Sequence, residues 1–192
     1  VQAAAASIDG GAGADTINVL SGGGGAAYAN LTTINGGAGA DKIVFSDEHG
    51  VASYSDLTAG TVSGVTAHEA AIVYQAGDVI AFGHTATSTT AANWIGGAGQ
   101  LNVITGMSGL YTAINSAGQA GGATTGDMYV YSDGTDTYFF AFTTSLVVSS
   151  FVVLGADLVT TTEVGAQNLT TANFGFTVAG DTATTGIAVT LL

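Results

Sequence analysis

The chain has 192 residues, enough for one large all-β domain or two small ones, with one basic residue (Lys42) against 14 acidic ones and a formal charge of −13. With almost nothing to neutralise phosphates, this balance excludes a nucleic-acid binder and a protein held on anionic membranes. With 47% hydrophobic residues it also excludes a disordered chain, and with no Cys and no Pro it excludes disulfides and thiolate metal sites. That composition suits an oxidising, calcium-rich exterior.

The first residues, Val1 to Ser7, are small and Ala-rich, with no basic segment leading into an apolar one. Val1 reads as the start of a processed chain or of a piece of a longer one. An internal repeat follows. Ile8-Asp9-Gly10-Gly11-Ala12-Gly13-Ala14-Asp15-Thr16-Ile17 recurs as Ile34-Asn35-Gly36-Gly37-Ala38-Gly39-Ala40-Asp41-Lys42-Ile43. Both copies fit G-G-x-G-x-D-x-U-x, with U a large apolar residue, the spelling of a calcium-binding parallel β-helix repeat. Glycines let such a loop turn its carbonyls toward one point. A hard cation takes six to eight oxygens at about 2.3–2.6 Å, and carbonyls with carboxylates supply them. The Ile after each Asp should start a strand with its side chain inward. Strands over Thr16–Leu20 and Leu31–Ile34, joined by a Gly-rich bend at Ser21–Asn30, would stack the two loops one coil apart. Asp15 and Asp41 would then flank a shared cation, which would neutralise two facing carboxylates.

Further along, strands are expected at Lys42–Phe45, Ala71–Tyr74, Asp78–Phe82, Met128–Tyr131, Thr137–Phe142, Leu146–Leu154, Phe174–Val178 and Ile187–Leu191, mostly bounded by Gly, Asp, Asn or Ser. Gly106–Ser116 has the spacing of one short helix. A third glycine copy, Ile95-Gly96-Gly97-Ala98-Gly99-Gln100-Leu101, has Leu where the Asp belongs and is assigned no metal. The uncharged run Tyr138–Leu154 would be about 25 Å long as a helix. It is interrupted by Thr143-Thr144-Ser145 and Ser149-Ser150, is rich in β-branched and aromatic residues, and has no flanking Lys or Arg. It reads as two buried strands and a turn, so no transmembrane segment is expected. Asp133-Gly134-Thr135-Asp136 reads as a hairpin turn rather than a glycosidase carboxylate pair, with a secondary calcium site there as the alternative.

No catalytic constellation emerges. His68-Glu69-Ala70-Ala71-Ile72 lacks the second His of a zinc-protease motif, His49 and His84 are isolated, and Asp47-Glu48 reads as a solvated turn or, alternatively, a peripheral calcium ligand. No G-x-S-x-G, P-loop or Rossmann fingerprint is present. The protein is expected not to be an enzyme.

The twin loops resemble the RTX family, calcium-dependent repeat proteins exported by type I secretion in Gram-negative bacteria. Gln75-Ala76-Gly77-Asp78-Val79-Ile80-Ala81-Phe82 is similar to the segment that often follows the last RTX repeat. Asp127–Tyr131 with Asp133–Phe140 resembles the terminal hairpin of such proteins, and Val152–Leu158 their closing strand. The arrangement looks most like the C-terminal region of a bacterial surface-layer (S-layer) protein. The resemblance implies calcium as cofactor, held by the carbonyls of Gly10, Ala12, Gly37 and Gly39 and the carboxylates of Asp15 and Asp41. It implies an all-β fold, with a short calcium-bound parallel β-roll over residues 1–47 and a β-sandwich-like assembly and secretion region, continuous with it, over 48–192. A secreted, non-enzymatic protein of the cell surface follows, self-assembling into a lattice and anchored on lipopolysaccharide. Two other readings stay open: the calcium-binding export module of a secreted protease or lipase, and an adhesin or filament subunit.

Overall fold

Ile, Val and Phe at alternate positions, punctuated by Gly and Asp, favour short extended segments that bury one face. The computed structural model describes residues 7–19, 32–45, 52–53, 70–82, 101–104, 128–142, 147–159, 174–181 and 186–192. Among these the chain is all-β, with no helix. The strands are β1 (Ser7–Asp9), β2 (Thr16–Val19), β3 (Thr32–Asn35), β4 (Lys42–Phe45), β5 (Ala52–Ser53), β6 (Ala70–Val73), β7 (Val79–Phe82), β8 (Leu101–Val103), β9 (Met128–Ser132), β10 (Thr137–Phe142), β11 (Val147–Leu154), β12 (Phe176–Asp181) and β13 (Gly186–Leu191).

They form two mixed sheets. One runs β1-β3-β6-β11-β10-β9-β8, with β5 also on β11; the other runs β12-β13-β7-β4-β2. The N-terminal half of the fold is parallel and repetitive. In the first sheet Ile8, Ile34 and Ile72 stand side by side across β1, β3 and β6. In the second, Ile17, Ile43 and Ile80 do the same across β2, β4 and β7. Three strand–loop–strand coils therefore lie in register, and β6 and β7 continue both ladders beyond residue 47. Antiparallel pairs follow in each sheet: β11, β10 and β9 in one, where β8 then adds to β9 in parallel, and β7, β13 and β12 in the other.

The sheets share one hydrophobic core. Phe45 of β4 stacks on Phe151 of β11 with ring centroids 6.1 Å apart, and Phe139 of β10 meets Phe176 of β12 edge-on at 5.1 Å. Phe139 and Phe151 stack on each other at 4.6 Å. These rings join the repetitive half to the antiparallel half. The buried Thr137 hydroxyl donates to the Ala156 carbonyl at 2.8 Å and accepts the Leu158 N–H at 2.9 Å, so its burial leaves no unmet hydrogen bond.

The described parts of the uncharged stretch from Tyr138 to Leu154 lie in the antiparallel pair β10–β11, and the expected turn at Thr143-Thr144-Ser145 lies outside the described residues. Among the described residues no helix is long and apolar enough to cross a membrane. Strands β5 and β8 were not anticipated. The expected bend at Ser21–Asn30 and helix at Gly106–Ser116 lie outside the described residues, as do Asp47-Glu48, His49, His68-Glu69, His84 and the glycines of the third copy.

The columns are not buried equally: Ile43 is 0% exposed and Ile8, at the outer coil, 37%. Ile43→Ala should therefore cost about 2–5 kcal/mol in urea unfolding, whereas Ile8→Ala should cost well under about 1.5 kcal/mol.

Candidate metal centre

Each glycine-rich loop is set by the residue before it. Asp9 Oδ1 accepts the Gly11 N–H at 3.1 Å, and Asn35 Oδ1 accepts the Gly37 N–H at 3.2 Å. Asp and Asn thus make the same turn, which explains how the two copies differ at that position without differing in shape. The loops stack: Ala12 pairs with Ala38 in parallel, the Ala38 N–H donates to the Gly11 carbonyl at 2.7 Å, and the Gly13 N–H donates to the Ala38 carbonyl at 2.8 Å. Gly37 and Gly39 have φ of 99° and 147°. A methyl group on either would overlap the carbonyl oxygen of Gly11 or Gly13 beneath it. Here glycine is required by close approach as well as by φ.

Beyond the glycines the aspartates form a column. The Asp15 N–H donates to Asp41 Oδ1 at 2.8 Å, and the Asp41 N–H donates to Asp78 Oδ1 at 3.1 Å. The next backbone bonds keep the register, from Lys42 N–H to the Asp15 carbonyl and from Val79 N–H to the Asp41 carbonyl, both 2.8 Å. One oxygen of each carboxylate, the Oδ2 of Asp15, Asp41 and Asp78, is buried without a hydrogen-bond partner. Unmet buried acceptors are uncommon, and a charged one costs several kcal/mol. Burial pushes the Asp78 carboxyl above its ordinary 3.8; the Asp41 N–H opposes this, and the Asp41 charge adds to it.

All six residues expected at a cation, Gly10, Ala12, Asp15, Gly37, Gly39 and Asp41, lie in the two stacked loops. The inter-loop bonds use the carbonyls of Asn35, Gly11, Ala38, Asp15 and Asp41. None of these is a carbonyl assigned to the ion; of the assigned four, the Gly39 carbonyl takes a contact among the described residues, from the Gln75 amide at 3.4 Å. Among the described residues no three His, Asp or Glu side chains converge. A cation here would therefore draw mainly on backbone carbonyls with the Asp pair, a donor set that fits a hard divalent ion and no soft one.

Asp78 was missed as a site residue. Its loop is one residue shorter than the others and reads Tyr74-Gln75-Ala76-Gly77, without the paired glycines. The surviving signal was Gly77-Asp78-Val79-Ile80, with an Asp two residues before a buried Ile. The other acidic pair is occupied by the fold. Asp133 Oδ1 accepts the N–H groups of Thr135 and Asp136, both at 2.9 Å, and Asp136 Oδ1 accepts the Gly155 N–H at 2.7 Å. The Asp136 N–H, more than any other contact, holds the Asp133 carboxyl below its ordinary range. This is the turn of the β9–β10 hairpin, with Gly134 at φ 92°.

Comparison with protein-family models, with curated proteins and with solved structures finds no match for this chain.

Two outcomes follow from this geometry. Gly37→Ala should cost about 2–5 kcal/mol, combining backbone strain with the clash on Gly11. Gly11→Ala, with φ 94° and open space around it, should cost only about 1–2 kcal/mol in the same unfolding assay. In chelator, the raised Asp78 carboxyl favours the folded state when protonated. That contribution is complete below the unfolded value near 4 and is lost as pH rises through the higher folded value. The melting temperature of the chelator-treated chain should thus fall between pH 4 and neutrality, and Asp78→Asn should flatten the fall.

Proposed function

We propose that this is a non-enzymatic, calcium-dependent structural protein of the bacterial surface, in which calcium clamps a short parallel β-roll and a β-sandwich-like region completes the fold. The observation that carries this reading is the pair of stacked glycine loops together with the buried, unpartnered Oδ2 atoms of Asp15 and Asp41. In calcium-poor surroundings the stacked carboxylates destabilise the folded chain. Outside the cell, ion binding becomes folding free energy. Export through type I secretion, assembly into an S-layer and anchoring on lipopolysaccharide rest on the RTX-like spelling of the loops. Self-association has support from composition too: the chain carries one Lys or Arg and no Pro, the residues that usually blunt strand edges.

The test is thermal unfolding and particle size of the purified chain with chelator, millimolar calcium or millimolar magnesium. At a hundredfold excess over Kd, calcium should add about 2.7 kcal/mol, or about 5–10 °C in Tm, with growth into sheets. Asp15→Asn combined with Asp41→Asn should abolish the shift, while changes at Asp133 or Asp136 leave it in place. Stabilisation of a persistent monomer would favour an export module instead. No calcium response would overturn the reading.

A further inference from the structure

Both sheets stop at the same coil. Strand β1 is an edge of the first sheet, β2 is an edge of the second, and together they make the first coil. Among the described residues no strand lies beyond either. The apolar columns end there incompletely covered: Ile8 is exposed where Ile34 and Ile72 are fully buried. Ile17 and Val19 are only partly buried, whereas their partners Ile43 and Phe45 are buried. Nothing in the sequence blunts these edges, since Ser7-Ile8-Asp9 and Thr16-Ile17-Asn18-Val19 contain no Lys, Arg or Pro.

We propose that this end is an interface between two copies of the chain, joined first coil to first coil about a two-fold axis. Each β1 runs antiparallel to β1 of the other copy, and each β2 to its counterpart. Two edges set apart by the packing of two sheets are covered at once only by a partner with the same separation. The first coil of a second copy has that separation by symmetry, whereas a lone extended peptide would cover one edge and leave the other bare. Charge selects the antiparallel arrangement. The acidic loop from Asp9 to Asp15 lies beyond one end of both strands, and an axis perpendicular to the sheets sends the two loops to opposite ends of the interface. Pairing β1 with β2 of the other copy would instead bring the loops together, a costly arrangement for a chain of charge −13. The far end offers no equivalent surface. The first sheet runs four strands beyond β6 and the second only two beyond β7, so the edges β8 and β12 are not level for a head-to-tail copy. This surface deepens the self-association proposed above and rests on it, but not on the calcium clamp.

Sedimentation velocity of the full chain in millimolar calcium, at concentrations too low for sheets to grow, tests this. The parent should run as a dimer and Ile8→Lys as a folded monomer. A monomeric parent would overturn the interface and leave the calcium clamp standing; association that a folded Ile8→Lys retains would overturn this surface but not self-association. Should Ile8→Lys fail to fold, cross-linking decides. The chain has no cysteine, so Asn18→Cys on the exposed face of β2 and Ala12→Cys in the exposed loop each carry one thiol. A short bis-maleimide should join Asn18→Cys into a covalent dimer and leave Ala12→Cys unjoined. Joining of Ala12→Cys, or of neither, would overturn the arrangement.

Discussion

Three carboxylates stacked one coil apart, each tied to its neighbour through a backbone N–H, are the constraint on which the repetitive half of this protein turns. One oxygen of Asp41 and one of Asp78 hold the register of the loops. The Oδ2 of all three is buried with nothing to bond. The same side chain thus aligns the coils and charges them against one another. The isoleucine columns on either side supply the apolar burial that keeps the coils together, but apolar side chains give a buried carboxylate oxygen no partner. A proton can do so in acid and a hard divalent cation can do so at neutral pH; on the function proposed above, folding is therefore coupled to ionic conditions.

Glycine makes that stacking possible in two ways. At Gly11 and Gly134 it serves a left-handed turn with open space around it; at Gly37 and Gly39 the carbonyl of the coil beneath occupies the place of a side chain. The antiparallel half has a different role. The rings of Phe139, Phe151 and Phe176 anchor it to Phe45, and β13 covers the last aspartate. The column therefore has one open end, at the exposed first coil, and one sealed end.

Local sequence carried much of this. Strands β4 and β10 lie where alternation and turn residues put them, and most others are displaced by only a residue or two, because β-branched runs between Gly and Asp leave little choice. The near-identity of the two glycine loops made their stacking legible, since identical loops at one edge can repeat identical backbone bonds. Sheet order was not legible: β6 lies between β3 and β11, and β7 between β4 and β13, pairings that span many residues and depend on the shared core. The short strands β5 and β8 owe their existence to neighbours rather than to any pattern of their own. Asp78 escaped for a related reason. Its loop keeps the aspartate and the following Ile but loses the glycines, and only the register with Lys42 and Ile43 reveals the equivalence.

Residue-resolved amide hydrogen exchange at neutral pH, with calcium and with chelator, bears most directly on the carboxylate column. The N–H groups of Asp15 and Asp41 donate to the carboxylates one coil on, so their protection reports the column itself. Calcium should slow exchange at these two amides and at Lys42 and Val79 far more than across the Tyr129–Phe140 hairpin. Equal protection of all four amides with calcium and with chelator would contradict the account, because the column would then stand without a cation.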